Sequence, residues 1–242
     1  FILFTPHTQL EKSASVTEEI NNCFSNLVES MFPGANLKIR TGIYRIDPSC
    51  VSASAAIDAA NYARKQIREN STSHVCFFDE QLRKQQQLEN EIIGDMASAI
   101  DNGEFQIFYQ PKISLDGTKI TGAEALIRWI RPDGTVLTPN MFVPLYDKTG
   151  QIIQLDYYVM EKAAASLSRN IQQGLPAIPL SVNLSALHAR DDSTVEQYLS
   201  ILKKYGLSPS LIQIEITESD TVFNYDNVRQ MFGRFQQAGF AT

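Results

Sequence analysis

Cysteine, histidine and tryptophan are scarce in this chain: three, three and one among 242 residues. Cys23, Cys50 and Cys76 form an odd set with no short paired spacing. That excludes a disulfide framework or a zinc ribbon and fits a reducing compartment. His7, His74 and His188 are too scattered for metal-ligand spacing and read as ordinary surface or core histidines. No uninterrupted apolar run approaches the ~20 residues that a membrane span needs, so no membrane segment is expected in this chain. The opening stretch FILFTPHTQLEKSAS lacks a basic leader, an apolar stretch and a small-residue cleavage site, so no signal peptide is expected. A cytoplasmic location follows, for a free-standing protein or for the cytoplasmic part of a larger membrane-anchored one. Lys and Arg nowhere gather into a run, and the net charge is −6, so binding to DNA or RNA has no electrostatic basis. Internal repeats and low-complexity tracts are absent too. If the ligand is a phosphate, a metal or a few well-placed arginines must neutralise it locally.

What is present is the composition of a globular protein, 43% apolar and 20% charged, long enough for one large domain or two ordinary ones. Residues 1–78 alternate short strands and helices. FILF (1–4), LKIRTGIYRI (37–46) and HVCFF (74–78) are β-prone. Between them, Val16, Ile20, Cys23, Phe24, Leu27 and Met31 predict one face of a helix that starts near Ser15 and is closed by Pro33-Gly34. SASAAIDAANYARKQIREN predicts a second helix. Residues 79–103 read as a connecting helix, with Leu82, Leu88, Ile92, Met96 and Ile100 in one narrow apolar stripe.

From residue 104 the rhythm changes. QIFYQPKISL and KITGAEALIRW predict strands joined as a hairpin across Asp116-Gly117. A long helix follows over 151–170, then the strand AIPLSVNLS, the helix STVEQYLSILKKYG, the strand LIQIEITES and the helix NVRQMFGRFQQAG. Strand–helix alternation makes the sheet parallel after its opening strands and the fold class α/β, of the kind found in (β/α) barrels. Residues 104–242 supply only about half of the ~250 residues of a complete barrel. The region is therefore either a smaller open sheet or a fragment of a longer protein, which stops at GFAT where a new strand should begin.

Three strands in this region carry polar residues out of place. Glu124, Leu126 and Arg128 share one face of their strand, opposite Ala123, Ala125 and Ile127. Ser181, Asn183 and Ser185 share a face of the next, and Gln213, Glu215 and Thr217 a face of the third, followed by Glu218 and Asp220. Each residue alone is consistent with a solvent-facing edge. Together, near the C-terminal ends of successive strands, they sit where a barrel places its chemistry. Glu124, Asn183 and Glu215 form an all-oxygen set suited to a hard cation such as Mg²⁺ or Mn²⁺. Such a cation would let an acidic protein hold a phosphate.

These residues resemble the EAL family of cyclic-di-GMP phosphodiesterases of bacterial signalling. GEFQIFYQPKISL (103–115), EALIRW (124–129), FVPLYDKTGQI (142–152), SVNLSA (181–186) and IEITES (214–219) stand in family order. The resemblance implies an EAL-type (β/α)8 TIM-like barrel, of which about the first half lies in this chain. It implies cyclic di-GMP as partner, a homodimer through the EAL domain, and metal-dependent hydrolysis to linear pGpG at a two-metal Mg²⁺ or Mn²⁺ site. Glu124, Asn183 and Glu215 match the family's metal ligands. Glu218 matches the second glutamate of the E-x-T-E motif, which supports the metal site, so Glu124, Glu215 and Glu218 are the expected catalytic carboxylates. Gln110, Leu126 and Arg128 match positions that hold the guanine and phosphate portions of the dinucleotide, with Asn183 beside them.

Two departures qualify the match. FVPLYDKTG, read as a loop, has Tyr146-Asp147 where the family shows Ala-Glu. The family also continues beyond the last helix into an Asp-Asp-Phe-Gly strand that completes the metal site, so a polypeptide ending at Thr242 is expected to be inactive. Residues 1–78 resemble the later portion of a GGDEF (diguanylate cyclase-like) domain through FILFTPHTQLEKS, IRTGIYRI and DAANYARK, with Phe1 as the last residue of the signature. Asn61 stands where that family's helix has Leu or Met, and a degenerate regulatory domain is favoured over an active cyclase. The reading is thus a GGDEF–connector–EAL signalling protein whose complete form is a phosphodiesterase. The alternatives are a catalytically silent cyclic-di-GMP receptor and, more remotely, another metal-dependent barrel hydrolase.

Overall fold

The computed structural model describes residues 1–5, 10–35, 37–47, 50–68, 74–216 and 225–242. The chain divides into two compact units, Phe1–Asn90 and Glu91–Thr242.

In the first unit, α1 (Leu10–Met31) is followed by β1 (Thr41–Tyr44), α2 (Ala53–Lys65), β2 (Val75–Phe78) and the first half of α3 (Glu80–Asp101). β1 and β2 pair in parallel, Thr41 with Val75 through Tyr44 with Phe78, so α2 is the crossover that parallel strands require. Ser52 caps α2 by accepting a hydrogen bond from the Ala55 amide at 3.1 Å. The buried face of α2 is Ala56, Ala59 and Ala63, small enough for the helix to lie directly on β1. The contact is so close that a Cβ on Gly42 would stand 1.8 Å from the Ala60 carbonyl oxygen and 2.6 Å from the Arg64 nitrogen. Tyr44 and Tyr62 both meet Phe78 edge-on, and Arg83 ties α3 to the end of β1 through Asp47 at 3.0 Å.

Three expectations for this unit are corrected. FILF is not a strand: residues 1–4 are exposed and carry no ladder, and an unpaired extended segment has nothing to hold it. LKIRTGIYRI narrows to Thr41–Tyr44, the four positions that β2 can pair. α1 begins at Leu10 rather than near Ser15, because no Gly or Pro interrupts the residues ahead of the apolar stripe. Its stripe is also more open than expected, with Ile20, Leu27 and Met31 exposed and Val28 buried instead.

The second unit is built on a five-stranded sheet in the order β3-β4-β6-β7, with β5 paired to β4. β3 (Phe105–Ile113) and β4 (Ile120–Ile130) form the antiparallel hairpin across Asp116-Gly117, where Asp116 accepts the Thr118 amide and Gly117 takes φ 71°. β5 (Val136–Leu137) is a short strand not anticipated from the sequence. α4 (Pro139–Thr149), α5 (Ile152–Gln172), β6 (Leu180–Asn183), α6 (Thr194–Tyr205), β7 (Ile212–Glu215) and α7 (Tyr225–Gln237) complete the unit. β4, β6 and β7 run parallel, and Ala241 bridges to Gln213 in parallel beside β7. The stretch FVPLYDKTG is helical, not a loop. Pro139 starts α4, Phe142, Leu145 and Tyr146 bury one face at i, i+3 and i+4, and Gly150 ends it at φ 78°. Pro144 lies inside this helix, which is what disguised it in the sequence.

The odd-numbered residues of β4 point into the core. Ala123 and Ala125 pack with Met160, Ala163 and Ala164 of α5. Ile127 and Trp129 pack with Phe142 of α4 and with Ile92 and Met96 of α3. Helical spacing puts Val228, Met231, Phe232 and Phe235 on one face of α7; Val228, Met231 and Phe235 are buried there, and Phe232 is half-buried at its edge. The helices therefore cover one face of the sheet, and Glu124, Leu126 and Arg128 emerge half-buried on the other.

Gly42→Ala is expected to lower the stability of the first unit by about 3 kcal/mol, the upper range for overpacking against fixed backbone. Urea denaturation monitored by circular dichroism measures this. A loss under ~0.5 kcal/mol would show that α2 can draw away from β1 at little cost.

Candidate functional site

The register of four strands builds the site. Gln110 on β3 stands directly opposite Glu124 on β4; Glu124 aligns with Ser181 on β6; Ser181 aligns with Gln213, and Asn183 with Glu215, on β7. All share the face not covered by helices. Asn183 donates through Nδ2 to Glu124 Oε1 at 3.0 Å, so the first two expected ligands meet. Glu215 is held by an unanticipated partner: Lys112 Nζ lies 2.5 Å from Glu215 Oε1 and 2.5 Å from Ser181 Oγ. Ser181, almost completely buried, donates its own hydrogen bond to Gln213 Oε1 at 3.2 Å.

Arg128 is not drawn to Glu124. Its Nη1 donates to the carbonyl of Ile127 at 2.8 Å, folding the guanidinium along its own strand. Leu126 pairs across the hairpin with Phe108, an exposed aromatic on the same face, and Gln110 is itself exposed. Glu218 and Asp220 lie outside the described residues. Among the described residues, no three His, Cys, Asp or Glu side chains cluster closely enough to hold a metal. Among the described residues the face offers two carboxylates and three amides (Gln110, Asn183 and Gln213), and an ammonium already sits on one of those carboxylates.

A second, buried network fixes the chain just after Asn183. The Leu184 amide donates to the Glu215 carbonyl at 2.8 Å, and the Ser185 amide to Asp156 Oδ2 at 2.9 Å. Ser185 Oγ donates to Asp147 Oδ1 at 2.7 Å and accepts from the Leu187 amide. His188 Nε2, fully buried, lies 3.2 Å from Asp156 Oδ2 and outside hydrogen-bond alignment. Burial pushes the Asp156 carboxyl above its ordinary value, against the opposing pull of His188 and the Ser185 amide. Asp147, one of the two departures in FVPLYDKTG, thus reaches the strand end that carries Asn183. Sequence reading missed Lys112 and Asp156. Lys112 could have been found as the residue two beyond Gln110, and Asp156 as a carboxylate inside the apolar stripe of α5.

The profile of the EAL domain family matches residues 93–242. The chain belongs to the EAL domain family. It is similar to MucR from Pseudomonas aeruginosa, named a bifunctional diguanylate cyclase/cyclic di-GMP phosphodiesterase. The two are 31% identical over 169 residues, which make up 70% of this chain and 24% of MucR. The solved PaMucR phosphodiesterase in complex with c-di-GMP superposes with a TM-score of 0.58 at 29% identity, over 62% of this chain and 61% of that one. The S helix-GGDEF-EAL structure of Vibrio cholerae LapD, bound to c-di-GMP, matches with a TM-score of 0.57 at 20% identity, over 97% of this chain and 54% of that one. At that identity the likeness is one of fold. The chain spans about a quarter of the length of the curated relatives it matches (24%, 22% and 27%). No helix among the described residues is long and apolar enough to cross a membrane.

The raised pKa of Asp156 has a definite sign. Its protonated form is favoured in the folded state, so its stabilising contribution is complete below the unfolded carboxyl value of about 3.9 and is lost as pH rises through the higher folded value. Asp156→Asn removes that titration. Thermal melts from pH 4 to pH 7 are expected to shift in favour of the variant as pH rises. A shift in favour of the wild type would mean that His188 stabilises the anion more than burial opposes it.

Proposed function

We propose that the complete protein is a bacterial cyclic-di-GMP signalling phosphodiesterase that hydrolyses its substrate to linear pGpG. The observation that carries this reading is the register that sets Glu124, Asn183 and Glu215 on three successive parallel strands, on the uncovered face of an EAL sheet. The likeness to PaMucR, solved with c-di-GMP, supports the dinucleotide as ligand.

The donor chemistry fits Mg²⁺ or Mn²⁺: two carboxylates and an amide, oxygen donors throughout, on a half-open face. Glu124, Asn183 and Glu215 would hold the cations, with Glu218 supporting them. Asn183 now turns its NH₂ toward Glu124, and a flip of the amide presents its oxygen without moving the backbone. When bound, the cations supply an activated water and neutralise charge at the scissile phosphodiester. Arg128, released from the Ile127 carbonyl, can place two parallel N–H donors on a non-bridging phosphate edge. Leu126 offers an apolar contact for a guanine, and Gln110 an amide for its polar edge.

The parallel bridge at Ala241 supports a sheet that continues around into a TIM-like barrel. In this reading residues 104–242 form the first part of the EAL domain and 79–103 the connector. Residues 1–78 are the later part of a GGDEF-like domain, supported by the parallel strand–helix–strand unit and the fold likeness to LapD. The protein is then cytoplasmic and pairs through its EAL domain. A second reading, a receptor that binds the dinucleotide without hydrolysing it, is favoured by the Lys112 ammonium on Glu215. The sequence after Thr242 discriminates between them: an Asp-Asp-Phe-Gly strand there would favour the enzyme, and its loss would favour the receptor.

In the complete protein, Glu124→Ala is expected to reduce metal-dependent turnover of cyclic di-GMP to background while the circular dichroism spectrum is retained. Undiminished hydrolysis would remove Glu124 from the ligand set. Arg128→Ala is expected to weaken cyclic-di-GMP binding roughly 10- to 100-fold, the loss of one or two charge-assisted hydrogen bonds. Calorimetry in Ca²⁺, a hard ion used to hold substrate without turnover, reads this directly. Equal affinity would leave Arg128 on its own backbone in the bound state as well.

A further inference from the structure

Lys112 leaves β3 two residues after Gln110 and so projects from the same face. Its cross-strand partner is Gly122, so the lysine stem passes β4 over a position without a side chain. A Cβ on Gly122 would stand 4.0 Å from Lys112 Cδ and 3.0 Å from the Pro179 carbonyl oxygen. The stem crosses β4 at this gap and delivers the ammonium to β6 and β7. There Nζ meets Ser181 Oγ and Glu215 Oε1, both at 2.5 Å. The hydroxyl it meets is oriented: Ser181 accepts from Lys112 and donates to Gln213. The ion pair is only partly screened, with the two side chains 37% and 30% exposed. A tethered cation therefore occupies one of the two carboxylates available on this face.

We propose that Lys112 is the counter-ion of Glu215 in the metal-free site and competes with a divalent cation for that carboxylate. It thereby sets the cation concentration at which the site fills. The inference rests on the reading of Glu215 as a metal ligand. An ammonium and a divalent cation on the same carboxylate oxygen repel each other at a few ångströms, where half-burial screens the repulsion less than bulk water would. Loading thus requires Lys112 to withdraw and to give up its bond to Ser181. Without a metal, the same lysine spares the face an uncompensated carboxylate. The lysine is a positioning residue, acting through Glu215.

The test is Mn²⁺ binding to the full-length protein after chelation, by isothermal titration calorimetry, with no substrate present. Lys112→Met is expected to bind Mn²⁺ about tenfold more tightly than wild type. Lys112→Gln, which keeps a hydrogen-bond donor for Ser181 without the charge, should tighten in the same direction, and Lys112→Arg should stay within about twofold of wild type. Should the methionine variant fail to fold, the glutamine variant decides alone. Glu215→Gln separates this inference from the reading beneath it. If Glu215→Gln weakens Mn²⁺ binding while the neutral Lys112 variants leave it unchanged or weaker, Glu215 is a ligand and the competition is overturned. If Glu215→Gln leaves Mn²⁺ affinity unchanged, Glu215 is not a ligand and both fall together.

Discussion

Trp129 has no exposed surface, and its indole N–H donates to Glu104 at 2.8 Å across the opening hairpin. Around it Phe105 and Phe142 close an aromatic cluster with ring centroids 5.0 and 6.2 Å away. This anchor decides which face of β4 meets the helices, and the rest of the site depends on that decision. Side chains alternate along a strand, so a slip of one residue would bury Glu124 and Arg128 and expose Trp129. Burial of the tryptophan thus holds Glu124 on the open face as firmly as any contact Glu124 makes itself. The helices on the covered side are drawn in by the same alternation, through Ala123 and Ala125 against the small residues of α5.

On the open face the governing problem is charge. Among the described residues two carboxylates, three amides and a lysine share a half-buried surface, and each is placed by register rather than by its own partners. Glu124 finds Asn183, Glu215 finds Lys112, and Arg128 turns back to the Ile127 carbonyl. Beneath the end of β6, Asp156 and Asp147 hold the amide and the hydroxyl of Ser185, so the strand end bearing Asn183 is fixed from the core side. The polar residues that touch the open face are therefore supported by polar residues that never reach it.

Much of this was legible in the chain itself. Period-two alternation in TGAEALIRW, SVNLS and LIQIE identified the strands and the face each polar residue takes, because a half-buried strand writes its environment into every second position. The order of five motifs named the EAL family, and the turn at Asp116-Gly117 marked the hairpin. Illegible were the features that depend on a partner distant in sequence. FILF has strand composition but no strand beside it, and α1 has an apolar stripe of which much remains exposed. FVPLYDKTG looked like a loop because its proline and glycine are local signals, whereas its helix is held by burial of Phe142 and Tyr146. The tyrosine hydroxyl even bonds the Ile92 carbonyl of α3, 54 positions away.

The sequence by itself determined the α/β class, the faces of the strands, the family and the acidic, cysteine-poor character that makes a cation or an arginine necessary for phosphate binding. Each of these follows from local pattern or from summed composition, which require no knowledge of the chain's path. Only the tertiary structure decided that Lys112 sits on Glu215, that Arg128 rests on its own backbone, and that Asp156 is buried against His188 behind Asn183. The first and last of these join residues dozens of positions apart in neighbouring strands and helices, and the turn of Arg128 back to the Ile127 carbonyl depends on what surrounds its strand. Their partners were set by register and packing, which no local pattern encodes.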